Sequence, residues 1–95
     1  MPQYVVLYRF TDQGRKHMKE TVHRAEEFRK LNETAGFDIL GMWWTAGQYD
    51  LIVAVNAPSE ESMVTGLFNI AEAGNVVSET LRAFPPGELQ SMIGP

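Results

Sequence analysis

Phe37-Asp38-Ile39-Leu40-Gly41-Met42-Trp43-Trp44-Thr45-Ala46-Gly47-Gln48-Tyr49-Asp50-Leu51-Ile52-Val53-Ala54-Val55 places two apolar runs, rich in aromatic and β-branched residues, on either side of a short polar turn. Gly47 and Asp50 are turn formers, so the stretch predicts a hairpin, strand two over 37–46 and strand three over 51–55. Upstream, Gln3–Phe10 is a first strand of the same composition, closed by the cap or turn cluster Thr11-Asp12-Gln13-Gly14. Between this strand and the hairpin, Met18, Val22, Ala25, Phe28, Leu31 and Ala35 recur every three to four residues in a charged background, and Gly36 follows. That spacing is amphipathic helix. One unbroken helix over 12–35 would be about 36 Å long, against about 26 Å for an eight-residue strand. A break is therefore expected, with a short turn near 12–19 and a main helix over 21–35 capped by Thr21. Downstream, Asn56-Ala57-Pro58 stops the strand and Ser59 caps a second helix with Glu60 and Glu61 in its first turn. Its expected buried stripe is Met63, Val64, Leu67, Phe68 and Ala71. Gly74 ends it, 75–84 is strand four, and Pro85-Pro86-Gly87 prevents the strand from continuing. Residues 88–95 are expected to be a C-terminal arm or a disordered tail.

The order βαββαβ defines one α+β domain over 1–95, a ferredoxin-like plait with a four-stranded antiparallel sheet and two helices on one face. Right-handed crossovers put both helices on the same side. The other side should then be polar if it were wet. It is not: strand one offers Tyr4, Val6, Tyr8 and Phe10 to one face and Val5 and Leu7 to the other. Strand two offers Phe37, Ile39 and Trp43 against Leu40, Met42 and Trp44, and strand three Leu51, Val53 and Val55 against Ile52 and Ala54. A sheet apolar on both faces predicts a homodimer through the open face, possibly within a higher oligomer.

Composition narrows the function classes. The 95 residues carry 8 Lys+Arg against 12 Asp+Glu, a net charge of −4, and no cysteine. That balance disfavours nucleic acid as a partner, since phosphate tracking needs clustered cations. No run is long and apolar enough for a membrane span, and the mixed charges of the first helix read as a wet face. Met1-Pro2-Gln3 has no basic region leading into an apolar one, so a cytoplasmic location is expected. Disulfides, thiolate nucleophiles and Cys-based metal sites are excluded.

The Gly47-Gln48-Tyr49-Asp50 turn, Gly74-Asn75 opening a last strand that contains Glu79-Thr80-Leu81-Arg82-Ala83-Phe84-Pro85, and the Tyr4-Val5-Val6-Leu7 strand followed by Phe10-Thr11 and Gly14 together resemble the GYD domain family. The resemblance covers nearly the whole chain and implies a ferredoxin-like plait of the dimeric α/β-barrel type. It implies little specific chemistry: the broader group ranges over cofactor-free monooxygenases, lactone isomerases, haem-binding enzymes and ligand-sensing domains.

The residues themselves single out a few positions. Asp50 and Tyr49 serve the turn in the simplest reading and rim a pocket in the functional one. Trp43 and Trp44 are adjacent on a strand and so point to opposite faces, one to the helices and one to the partner copy. One indole with Tyr8 and either Arg82 or Arg9 would make a ligand pocket for a small molecule. Arg82 needs a partner, with Asp38 and Asp50 the first choices or an anionic ligand the alternative. Glu20-Thr21-Val22-His23, with His17 nearby, has the Glu-x-x-His spacing of carboxylate di-metal sites but lacks matching ligands on the second helix, so no metal and no cofactor are expected. The reading that results is a homo-oligomeric small-molecule-binding or accessory protein. The alternative is a cofactor-independent monooxygenase or isomerase acting on a small aromatic or lactone-like substrate.

Overall fold

In the structure, a computed structural model that describes residues 1–94, the elements run β1 (Gln3–Phe10), α1 (Asp12–Arg15), a 3-10 turn (Met18–Glu20), α2 (Thr21–Thr34), β2 (Asp38–Trp44), β3 (Leu51–Asn56), α3 (Glu60–Ala73), β4 (Val76–Ala83) and α4 (Pro86–Ile93). The strands form one antiparallel sheet in the order β2-β3-β1-β4. This is the ferredoxin-like arrangement, with the first and third strands central.

The core lies between one sheet face and the helices. It gathers Tyr4, Val6 and Tyr8 of β1, Val53 and Val55 of β3, and Met63 of α3. Alternate β1 residues are buried, as a period of two against a covered face requires. The expected helix break is present, because Thr11 caps α1 and Arg24 of α2 donates to the carbonyls of Gly14 and His17 on the other side of it. Thr21 does not cap α2: its hydroxyl accepts the indole N–H of Trp44 at 3.1 Å. Ser59 does cap α3, accepting the Ser62 N–H, and Gly74 closes it in the left-handed conformation.

Two expectations are corrected. Strand two carries a β-bulge between Ile39 and Gly41: Ile39 pairs with Val55, but Gly41 pairs with Ala54 and Met42 with Val53. The extra residue, Leu40, changes the phase, so Ile39, Met42 and Trp44 share the helix side while Trp43 turns to the open side. Secondly, the inward stripe of α3 is Met63, Gly66, Leu67 and Ile70, whereas Val64, Phe68 and Ala71 are exposed. On α2, Ala25 and Phe28 face in and Val22 and Leu31 face out. Over its described part the tail is an arm, and the arm is helical. Pro86 at the start of α4 presets the helical φ, Glu88 favours the positive helix end, and Arg82 holds Glu88 at 3.0 Å. Pro95 lies outside the described residues. Leu89, Met92 and Ile93 on α4 remain 42%, 58% and 70% exposed, so the arm does not bury itself. The radius of gyration, 14.2 Å, exceeds the about 12 Å expected of a compact domain of this length.

Candidate functional site

Between the covered sheet face and helices α2 and α3 lies a cavity of about 180 Å³. Its walls are Phe10, Met42, Leu51, Val53 and Val76 from the sheet side, Ala25 and Phe28 from α2, and Ile70 and Ala73 from α3. Tyr8, Thr21, Arg24 and Asn75 bring the polar atoms. Two of these are already engaged: Thr21 holds Trp44, and the Asn75 side chain accepts from Gln13. The other two are not fully used. Tyr8 is 5% exposed, and its hydroxyl makes no hydrogen bond among the described residues. Burial pushes it up to about 12, so it is a neutral donor at any ordinary pH. Arg24 spends a single nitrogen, Nη2, on the carbonyls of Gly14 and His17, at 3.3 and 3.2 Å, and has no carboxylate partner among the described residues.

The six residues singled out from the sequence are divided between the two sheet faces and the end of β4, and do not form one site. Tyr8 is on the cavity wall, and Trp44 stands on the same side, tied to Thr21. Trp43 is on the opposite face, 54% exposed, with its indole lying over Gly41, where a Cβ would meet the ring at 2.2 Å. Tyr49 is also on that face: its hydroxyl donates to Glu79 and its ring lies under the Arg9 guanidinium. The Glu79 carboxylate, by holding the phenolic proton, raises the pKa of Tyr49 above the ordinary tyrosine value. Asp50 serves the sheet. Its carboxylate accepts the Phe10 N–H at 2.9 Å and its N–H donates to the Tyr8 carbonyl at 2.8 Å, which continues the β1–β3 ladder beyond its last backbone pair, Tyr8 with Leu51. Gly47, at φ +152°, lets the chain enter this turn. Arg82 lies at the far end of β4, opposite Tyr4. Its partner is Glu88, in place of Asp38 or Asp50, and its guanidinium stacks 4.5 Å from the Phe84 ring.

His17 and His23 approach different acids, Glu20 at 4.0 Å and Glu27 at 3.6 Å, both on the exposed surface. Arg24 was not among the residues singled out from the sequence. Its only signal there is position, one residue before Ala25 on the inward stripe of α2.

The open sheet face is apolar in its middle. Val5, Leu7, Ile52 and Ala54 are half-buried, and Trp43, Val77 and Leu81 are exposed. The charged pair Arg9 and Glu79, bridged by Tyr49, sits in the same layer.

A βαββαβ plait with one largely apolar sheet face that α2 and α3 leave uncovered, and a small half-open cavity under those helices, is the class of protein that these features define. The GYD domain matches residues 4–93, and the chain belongs to that family. A relative in Thermus thermophilus, the glutamine synthetase and cystathionine beta-lyase binding protein, is 27% identical over 90 residues, which cover 94% of this chain and 95% of the relative. Among solved structures, MtbAldR aligns with a TM-score of 0.67 at 14% identity, covering 88% of this chain. The chain spans about half of that structure, 53%, and the likeness is one of fold. No described helix is long and apolar enough to cross a membrane.

Proposed function

We propose that this chain is an accessory binding protein that works as a homodimer, two copies packing their open sheet faces together, and that it docks on other proteins without transforming a substrate itself. The observation that carries the reading is the bare apolar layer of Val5, Leu7, Trp43, Ile52, Ala54, Val77 and Leu81. Soluble proteins seldom leave so continuous an apolar surface wet. A second copy is the fitting cover, because a two-fold axis brings a patch against itself and this patch holds both Arg9 and Glu79, one cation and one anion for reciprocal pairing. The accessory role is supported by the relative of nearly equal length whose name is that of a protein binding two enzymes. The cavity speaks for binding over catalysis: burial raises the Tyr8 pKa to about 12, so this hydroxyl is not poised as a general base. We place the protein in the cytoplasm on the cysteine-free, acidic composition.

Sedimentation velocity over a dilution series tests the pairing. A dimer that persists to low micromolar concentration, and that Leu81→Asp converts to a folded monomer, agrees with the proposal; a wild-type monomer at high micromolar concentration overturns it. Affinity capture with the dimer then tests docking, with a stoichiometric enzyme partner expected.

A further inference from the structure

We propose that the cavity beneath α2 and α3 binds a small monocarboxylate with an apolar, ring-sized body, its carboxylate facing Arg24 and its body seated against Phe28, Met42 and Ile70, with Tyr8 donating a hydrogen bond to it. Size sets the first limit. A cavity of about 150 Å³ lined by apolar side chains accepts benzene, and this one, at about 180 Å³, has room for one ring and a small substituent. The walls set the second: aromatic and aliphatic side chains surround the space, so the buried part of the ligand is apolar.

The two underused polar groups set the charge. Tyr8 is nineteen-twentieths buried, but its hydroxyl oxygen keeps some accessible surface and meets no protein partner among the described residues, so it is free to bond a guest in the cavity that Tyr8 lines. It is protonated and therefore offers a donor. Arg24 is the second donor on the same cavity. Arg15 and Arg82 each hold a carboxylate of this chain, whereas Arg24 meets only the backbone carbonyls of Gly14 and His17 and keeps its other N–H groups free of acceptors among the described residues. Two donors, one of them cationic, and no carboxylate on the wall call for a ligand that accepts and is negative. All the wall residues come from one subunit, so the site does not rest on the pairing of sheet faces.

Benzoate, with benzamide as its uncharged isostere, is the probe. Titrated into ¹⁵N-labelled protein, benzoate is expected to saturate one site per chain, shifting the amides of Phe10, Phe28 and Ile70, and to bind at least about tenfold more tightly than benzamide, as loss of a charge-assisted hydrogen bond implies. Arg24→Gln should bring benzoate down to the benzamide level. Tyr8→Phe should weaken both probes several-fold, and it serves as the second test if Arg24→Gln disturbs the helix break. Equal binding of the two probes, unsaturable binding, or shifts centred on Trp43 and the open face would overturn the proposal. None of these results bears on the oligomeric state, so the two readings fail separately.

Discussion

The two faces of this one sheet carry similar side chains and are treated in opposite ways. The helix-side face holds Tyr4, Val6, Tyr8, Val53 and Val55, all below a tenth exposed, while the other holds Val5, Leu7 and Ile52, half-buried, and Trp43 and Leu81, about half exposed. Hydrophobicity alone therefore does not decide what is core. What decides is where two right-handed crossovers lay their helices, which is a property of chain order and handedness. The covered face is stabilised within one chain. On the open face the same kind of burial becomes a concentration-dependent interaction between chains.

That contrast can be broken at four points. Met63→Ala empties part of the covered layer, and a loss of about 3 kcal/mol of folding stability is expected, independent of protein concentration, in urea titrations. Alkaline titration of Tyr8 comes next. Its folded pKa, about 12, lies above the unfolded value of 10.0, so the folded state holds the proton longer. Stability is thus full below pH 10 and falls between pH 10 and 12, by up to about 2.5 kcal/mol. Tyr8→Phe should flatten that part of the curve of melting temperature against pH. Trp43→Ala should act on the other face: about 2 kcal/mol of dimer affinity lost in sedimentation, with the stability of the single subunit nearly unchanged. An equal loss in the subunit would show that the two faces are not energetically separate. Asp50→Ala is the smallest, about 1.5 kcal/mol by thermal unfolding, because it leaves the Phe10 N–H without its acceptor at the joint between hairpin and β1.

Much of the fold was legible. Alternation in Gln3–Phe10, the hairpin turn, the Ser59 cap and the length argument for a broken first helix each rest on local chemistry, and each element formed where that chemistry required it. The candidate site was legible only in part. Tyr8 was named and lines the cavity, but Trp43, Tyr49 and Arg82 lie apart from it. Two readings failed because local patterns were degenerate. α3 carries one apolar stripe at Met63, Leu67 and Ile70 and another at Val64, Phe68 and Ala71, and spacing cannot say which faces the sheet. The bulge at Leu40 leaves no mark in an apolar strand, yet it reverses the side of every residue beyond it. Arg82 pairs with Glu88 and not with Asp38 or Asp50, because the path of the residues after Pro85, read only as an arm or a disordered tail, could not be placed from the sequence.

The amino-acid sequence by itself determined the kinds of element, their order, the ferredoxin-like topology and the presence of apolar side chains on both sheet faces, because these depend on residue periodicity and short-range turn chemistry. Only the tertiary structure decided which helix stripes turn inward, which indole faces out, and that Arg24 and Tyr8 border one cavity. Those outcomes follow from a single-residue register shift and from contacts between segments far apart in the chain, where competing local patterns are equal in energy until packing selects one.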